Sequence, residues 1–408
     1  MTKPMLLADF QRLPPVARGS VADGLATAID VVAARAAPSH GFLRYGWFAA
    51  ALAAYGGQAR TLTVEEDGAA MLALPFVGIG PAALRLAAVP GSYWPFRSFP
   101  LAEEAGEATM KAALVTLAAT VNGLRIGPVY DDDPAAMPLI AAARAQGWAV
   151  LDRFVADSWL LDMAALQAEG TWPRGSTLRK NRFHEKHLAT HGTPDWQFLS
   201  GDDWPAAFDA LAAIEQASWI ASRTDGSDAK FTDTGHGAFW RAAAADPVVA
   251  GMLRAALLTI DGRPAAFSFD LDTGALKYAI ANSYDPAYAK HSPGKLLYYR
   301  NLVEALGRGI ARVDWGAGDS GYKQVIGAER GTGDPRLAAA PPRRAGAGRA
   351  AGPRCVAAIG AVDGTRFRGV GVGASCWCSS ISKPRRSPRR AIRSRSPGCS
   401  RTGGRKAT

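Results

Sequence analysis

The chain has 408 residues, 48% of them hydrophobic, and a formal net charge of +11; it is long enough for two domains of ordinary size. The charge suggests a nucleic-acid binder until it is located: residues 330–408 hold 18 of the 47 Lys and Arg and 2 of the 36 Asp and Glu, leaving residues 1–329 at −5. All four cysteines, Cys355, Cys376, Cys378 and Cys399, fall in that same segment, which excludes thiol catalysis, a cysteine metal site and a disulfide framework from the body.

In chain order, residues 1–37 are Ala-rich with a Leu13-Pro14-Pro15 element and read as an arm leading into the fold. No basic start with an apolar core marks a signal peptide, and no apolar stretch approaches the ~20 residues that span a bilayer, so a cytoplasmic protein is expected. Phe42–Tyr55 reads as a buried helix, followed by a hairpin of Thr61–Val64 and Ala70–Leu74 around Glu66-Asp67-Gly68. Helix Glu107–Val121, strand Gly123–Gly127, helix Ala135–Gln146 and strand Ala149–Asp152 complete a first unit, with Trp159–Asp162 as a link. A basic helix around Leu178–Arg182, strand Asp195–Leu199 and a helix from about Leu211 to Trp219 open a second. Strands Met252–Ile260, Pro264–Leu271 and Ala275–Asn282 then follow across the turns Asp261-Gly262 and Asp272-Thr273-Gly274. Adjacent strands with tight turns form an antiparallel meander, which excludes a doubly wound parallel sheet in this half.

Past the meander, Tyr284 to Lys295 joins a strand to a helix whose apolar positions Leu296, Tyr299, Leu302, Val303 and Leu306 have helical spacing. Ser292 suits an N-cap and Pro293 a first helical position, so the first-turn N–H groups at Gly294 and Lys295 face outward as a phosphate site. A short strand, Arg312–Trp315, and a glycine turn lead to Tyr322-Lys323. In Tyr284-Asp285, Ser292-Pro293-Gly294, Asp314 and Tyr322-Lys323, the chain resembles the CelD-like branch of the GNAT acetyltransferase superfamily, relatives of the FemAB transferases. Leu178–Arg182 resembles that family's basic helix and Ala217-Ser218-Trp219 its Ser-Trp element, although Ile220 stands where the family usually has Lys.

The resemblance implies an α/β (α+β) chain of two tandem GNAT-like units with mostly antiparallel central sheets, at 38–165 and 166–329. It also implies acyl-CoA, in the first instance acetyl-CoA, as co-substrate and an amine as acceptor, in polysaccharide or cell-envelope metabolism. On this reading Ser292, Pro293, Gly294, Lys295, Asn282 and Lys323 hold the coenzyme, and Arg179, Arg182, Trp219 and Tyr284 line the acceptor side. Tyr322 is the candidate acid beside the thioester sulfur, because a phenol of pKa near ~10 can protonate a departing thiolate. Asp314 and Glu215 are the candidate bases, since an alkyl ammonium of pKa near ~10.4 must lose a proton before it attacks. A FemAB-like aminoacyl transferase and an inactive GNAT-fold binding module are the alternatives, and the negative body counts against a tRNA donor.

Arg179, Arg182 and Lys186 share one helix face, which reads as a solvated surface or as an anion clamp. His184, His187 and His191 share another, but the outer two are roughly 10 Å apart along the helix, too far for one zinc; no metal is expected. Residues 330–408, rich in Arg, Gly and Pro, read as a disordered tail. Such text is what a slipped reading frame in a GC-rich gene yields, the alternative being a native nucleic-acid-binding extension. With no strand expected after Glu329, the Arg312–Trp315 strand would keep an open edge.

Overall fold

The structure, a computed structural model, describes residues 16–204, 206–218, 229–233, 235–316, 323 and 328–340, with the backbone alone for 330 and 332–340. In the first unit, β1 (Ala17–Asp23), β2 (Ala59–Glu66), β3 (Ala69–Ile79) and β4 (Leu86–Ala88) pair antiparallel in turn, and β4 then runs parallel to β5 (Gly123–Ile126). Next in the chain comes the long β6 (Ala149–Asp162). The second unit repeats the pattern: β7 (Pro194–Ser200), β8 (Leu253–Ile260), β9 (Arg263–Thr273) and β10 (Leu276–Tyr284) form the meander, and β10 runs parallel to β11 (Arg312–Asp314). At the turns, Asp67-Gly68 and Asp261-Gly262 both adopt positive φ, the backbone that closes a two-residue hairpin with the sheet's own twist.

With β12 (Glu329–Ala340), the two halves form one twelve-stranded sheet of order β1-β2-β3-β4-β5-β12-β6-β11-β10-β9-β8-β7. The halves exchange strands where they join. β6 closes the first unit in sequence yet pairs with β11 of the second, whereas β12 follows the second unit yet lies between β5 and β6.

This arrangement corrects several expectations. Residues 17–33 are not an arm: they form β1 and α1 (Ala28–Ala33), whose Ile29 and Val32 are fully buried. Trp159–Asp162 is not a separate link but the end of β6, which crosses the expected unit boundary in its pairing. The tail does not begin at 330, because the backbone continues as β12 to Ala340 even though the sequence lacks strand periodicity there. Nor does β11 keep an open edge; β6 and β10 take its two sides. Residues 341–408 lie outside the described residues.

Helices cover the sheet. In the first unit α2 (Tyr45–Tyr55), α3 (Glu107–Thr120) and α4 (Ala136–Ala145) follow α1, and α3 packs on β1 and β2. In the second come α5 (Met163–Ala168), α6 (Gly175–Leu188), α7 (Ala206–Ala217), α8 (His236–Ala243), α9 (Pro247–Met252) and α10 (Pro293–Gly307). The units share a core: Trp47 of α2 meets Phe239 and Trp240 of α8 edge to face, at centroid distances of 4.8 and 5.7 Å, a geometry favoured by the ring quadrupoles.

Beneath α10 the sheet buries charge. Lys277 Nζ lies 3.2 Å from Asp270 and 2.8 Å from Asp272, Asn301 of α10 donates to Asp270 at 2.6 Å, and Arg308 donates to Asp272 at 2.9 Å. Burial pushes the Asp270 carboxyl up and Lys277 pulls it back. The network pins α10 to β9 and β10, and so fixes where its N-terminus points.

Candidate active site

The parallel pair of the second unit comes apart at its carboxyl end. Only Leu276, Lys277 and Tyr278 pair with Arg312, Val313 and Asp314. From Ala279 to Tyr284, the only described strand that pairs with β10 is β9, since β11 ends at Asp314. Beyond that point no described strand pairs with the outer edge of β10.

At the outer end of that edge, the chain turns through Pro286–His291 into α10. Pro293 occupies the first turn as expected, and Lys295 is exposed beside it. Ser292 stands at the N-cap position, but its backbone is left-handed, φ 51° and ψ 50°, and its side chain caps nothing; the backbone, not the hydroxyl, makes this turn. Gly294 also differs from expectation. A Cβ there would lie 3.0 Å from both Asn282 Oδ1 and Tyr284 Cδ1, so the glycine lets the helix seat closely on its own strand, and a larger residue would push both side chains aside. Asn282 donates to the Gly294 carbonyl at 3.4 Å, and the Tyr284 ring packs against Gly294. Both are supports of the loop in this structure. His184 of α6 lies within reach of Lys295, and burial together with the charges of Lys180 and Lys295 holds its imidazole below its usual range.

At the inner end lies Asp314, 2% exposed. Its Oδ2 accepts from the Tyr130 hydroxyl at 2.5 Å, and its Oδ1 accepts from the Gly316 N–H at 2.7 Å. Burial raises its pKa to about 6, against the lowering effect of those two bonds. A carboxylate of that pKa is mostly ionised at neutral pH and still a better base than an exposed one. Tyr278, opposite Asp314 in register and fully buried, is pushed well above its ordinary pKa by desolvation and by the Asp314 and Asp133 carboxylates; it stays a neutral phenol.

Two of the elements at this end come from the first unit. Tyr130 follows β5, and Trp94 precedes the Phe96 that packs on Tyr278 at 5.7 Å. The Trp94 Nε1–H donates to the Ala279 carbonyl at 3.0 Å, the first carbonyl beyond the paired stretch. Neither residue was named from sequence. Their partners are 184 and 185 positions away, and no local pattern carries such a contact.

The remaining expected residues are dispersed. Lys323 is buried and donates from Nζ to the Trp315 and Gly316 carbonyls at 2.8 and 3.0 Å, so it ties down the end of β11. Glu215 Oε2 accepts from the backbone N–H groups of Lys230 and Phe231 at 2.8 and 3.1 Å, which holds that segment against α7. Arg179 and Arg182 are exposed on α6 and make no ion pair with another described residue. α6 is fixed to α10 through Glu185 and Arg300, whose Oε1 and Nη2 are 2.9 Å apart. Tyr322 and Trp219 lie outside the described residues.

Residues 174–324 match the family described as "Acetyltransferase (GNAT) domain". This GNAT match covers 151 of the chain's 408 residues. The loop, Asp314 and Lys323 all fall inside the matched GNAT segment, whereas Trp94 and Tyr130 fall outside it. No curated protein matches the chain. Among solved structures, FemX superposes with a TM-score of 0.51 at 11% identity, over 76% of this chain and 94% of that one. A conserved protein of unknown function from Bacteroides thetaiotaomicron gives 0.49 at 12%, over 79% and 100%. A tandem GNAT protein from the clavulanic acid biosynthesis pathway gives 0.42 at 14%, over 80% and 100%. At these identities the likeness to FemX is one of fold. Among the described residues no helix is long and apolar enough to cross a membrane.

Proposed function

We propose that the chain transfers an acyl group, in the first instance acetyl, from coenzyme A to an amine where β10 and β11 part. The observation that carries this reading is the parting of a parallel pair with a helix N-terminus at the outer end of the edge and a buried, ionisable carboxylate at the inner end. The pyrophosphate belongs at the start of α10: the Lys295 N–H expected to face outward is taken by the Ser292 carbonyl at 3.0 Å, which leaves the Gly294 N–H and the positive end of the helix dipole to favour an anion, with the Lys295 side chain adding charge. From Tyr284 back to Ile280 the edge, unpaired by any described strand, extends about 13 Å at ~3.3 Å per residue. An extended arm with two amides pairs along such an edge as an added strand does. Its thioester then arrives beside Asp314.

There the chemistry is positional. Asp314 takes a proton from the incoming ammonium; the freed amine nitrogen forms the new C–N bond as the C–S bond breaks. A second proton leaves the nitrogen and ends on the departing sulfur, by way of Tyr322 if the expected acid acts. Tyr130 and the Gly316 N–H hold the carboxylate in place throughout. Arg179 and Arg182 remain proposed contacts for an anionic acceptor such as a cell-envelope or polysaccharide precursor. The body charge of −5 over residues 1–329 weighs against the aminoacyl-tRNA donor of a FemAB-like reaction.

The test is thiol release. The purified chain is incubated with acetyl-CoA and a panel of amines, and free coenzyme A thiol is followed with and without each amine. Amine-dependent release supports the reading; absence of coenzyme binding by calorimetry refutes it.

A further inference from the structure

The indole of Trp94 lies across the two parting strands. On one side its Nε1–H holds the Ala279 carbonyl of β10 at 3.0 Å. On the other its benzo ring closes on the end of β11 so tightly that a Cβ at Gly316 would come within 2.6 Å of it. Tyr278 meets it edge-on at a centroid distance of 6.3 Å. One flat side chain from the first unit therefore bridges the parting of two strands that belong to the second. It is half-buried.

We propose that Trp94 is the end wall of the acyl pocket and sets the length of acyl group the protein accepts. The inference rests on the reading of this parting of the strands as the acyl-CoA site. If the arm runs inward along β10 from Tyr284, its thioester reaches the level of Ala279 and Asp314, and whatever extends beyond the carbonyl carbon meets the indole. A methyl fits in front of a ring; a chain of several methylenes needs the volume the ring fills. The ring is held at both edges, by a hydrogen bond to one strand and by van der Waals contact with the other, so it does not rotate away cheaply. Gly316, with φ +69°, is what allows β11 to close upon it.

The experiment compares acetyl-CoA with hexanoyl-CoA on the parent chain and on Trp94→Ala, by calorimetric affinity and by thiol release with an amine. Each methylene newly buried is worth about a fourfold gain, so the hexanoyl-to-acetyl ratio should rise at least tenfold in Trp94→Ala. Trp94→Phe, which keeps a ring and loses the Nε1–H donor, should retain the parent's short-chain preference. A purely structural role lowers both substrates together and leaves the ratio unchanged. An unchanged ratio in a folded Trp94→Ala that still binds acetyl-CoA overturns the proposal alone. Failure of the parent to bind any acyl-CoA overturns the site reading and the proposal with it. If Trp94→Ala does not fold, Trp94→Leu supplies the same comparison, with a smaller rise expected.

Discussion

Replacing Asp314 by Asn should make the protein more stable at alkaline pH while removing its activity. Burial gives the folded Asp314 a pKa of about 6 against an ordinary 3.8, a difference of about 3 kcal/mol between the two protonation states. The folded chain thus binds this proton more tightly than the unfolded chain does. Its contribution to stability is complete below pH 3.8 and is lost progressively as the pH rises to about 6. Above that, the buried charge is a standing cost. An amide of the same shape removes the charge and keeps both neighbours: its oxygen accepts from the Gly316 N–H, and its NH2 donates to the Tyr130 oxygen. Allowing for imperfect geometry, Asp314→Asn should gain about 1–3 kcal/mol at pH 8 and close to nothing at pH 4. Turnover should fall by about 10²–10⁴. Thermal melts across that pH range and thiol-release rates on the same preparations check both halves. A variant less stable than the parent at pH 8, or one within a few-fold of parental turnover, would refute the reasoning.

Tyr130→Phe deletes a hydrogen bond that holds the Asp314 pKa down, so the acidic limb of the pH–rate profile should move to higher pH with acetyl-CoA affinity unchanged; an unmoved limb would separate Tyr130 from the base. Gly294→Val places a side chain against Asn282 and Tyr284 and should cost about 1–3 kcal/mol together with coenzyme affinity, measured by denaturant titration and calorimetry; loss of affinity at full stability would instead put the glycine in contact with the phosphate. Lys277→Met leaves Asp270 without its buried cation and should cost about 3–5 kcal/mol, and a loss below ~1 kcal/mol would mean that Asp270 is protonated in the fold.

The meander was legible because its signals are local: alternating apolar runs with Asp-Gly turns whose φ values prove positive. Pro293 at the helix start and Asp314 at a strand end were legible for the same reason. Ser292 was placed correctly and explained wrongly, since a cap is read from residue type but its geometry is set by the preceding 3-10 turn. β1, β4 and β12 gave no local signal; their pairing with β2, β3, β5 and β6 is what makes them strands. Lys323 has the composition of a ligand residue and the surroundings of a tether, a distinction that lies in burial and partners. Trp94 and Tyr130 were invisible because they act across the seam between the units.

The exchanged strand also puts the assembly of the molecule on a clock. β6 is among the inner strands of the sheet, yet its neighbours are β11 and β12, and the first residue of β11 leaves the ribosome about 150 positions after β6 ends. At a synthesis rate of ~5–20 residues per second, the longest strand of the fold waits on the order of ten seconds with neither edge paired. During that interval the first unit holds a meander without its closure, and the second does not exist. The centre of the sheet is therefore the last part to form, and the nascent chain is most exposed to edge-to-edge association just before the candidate site comes together.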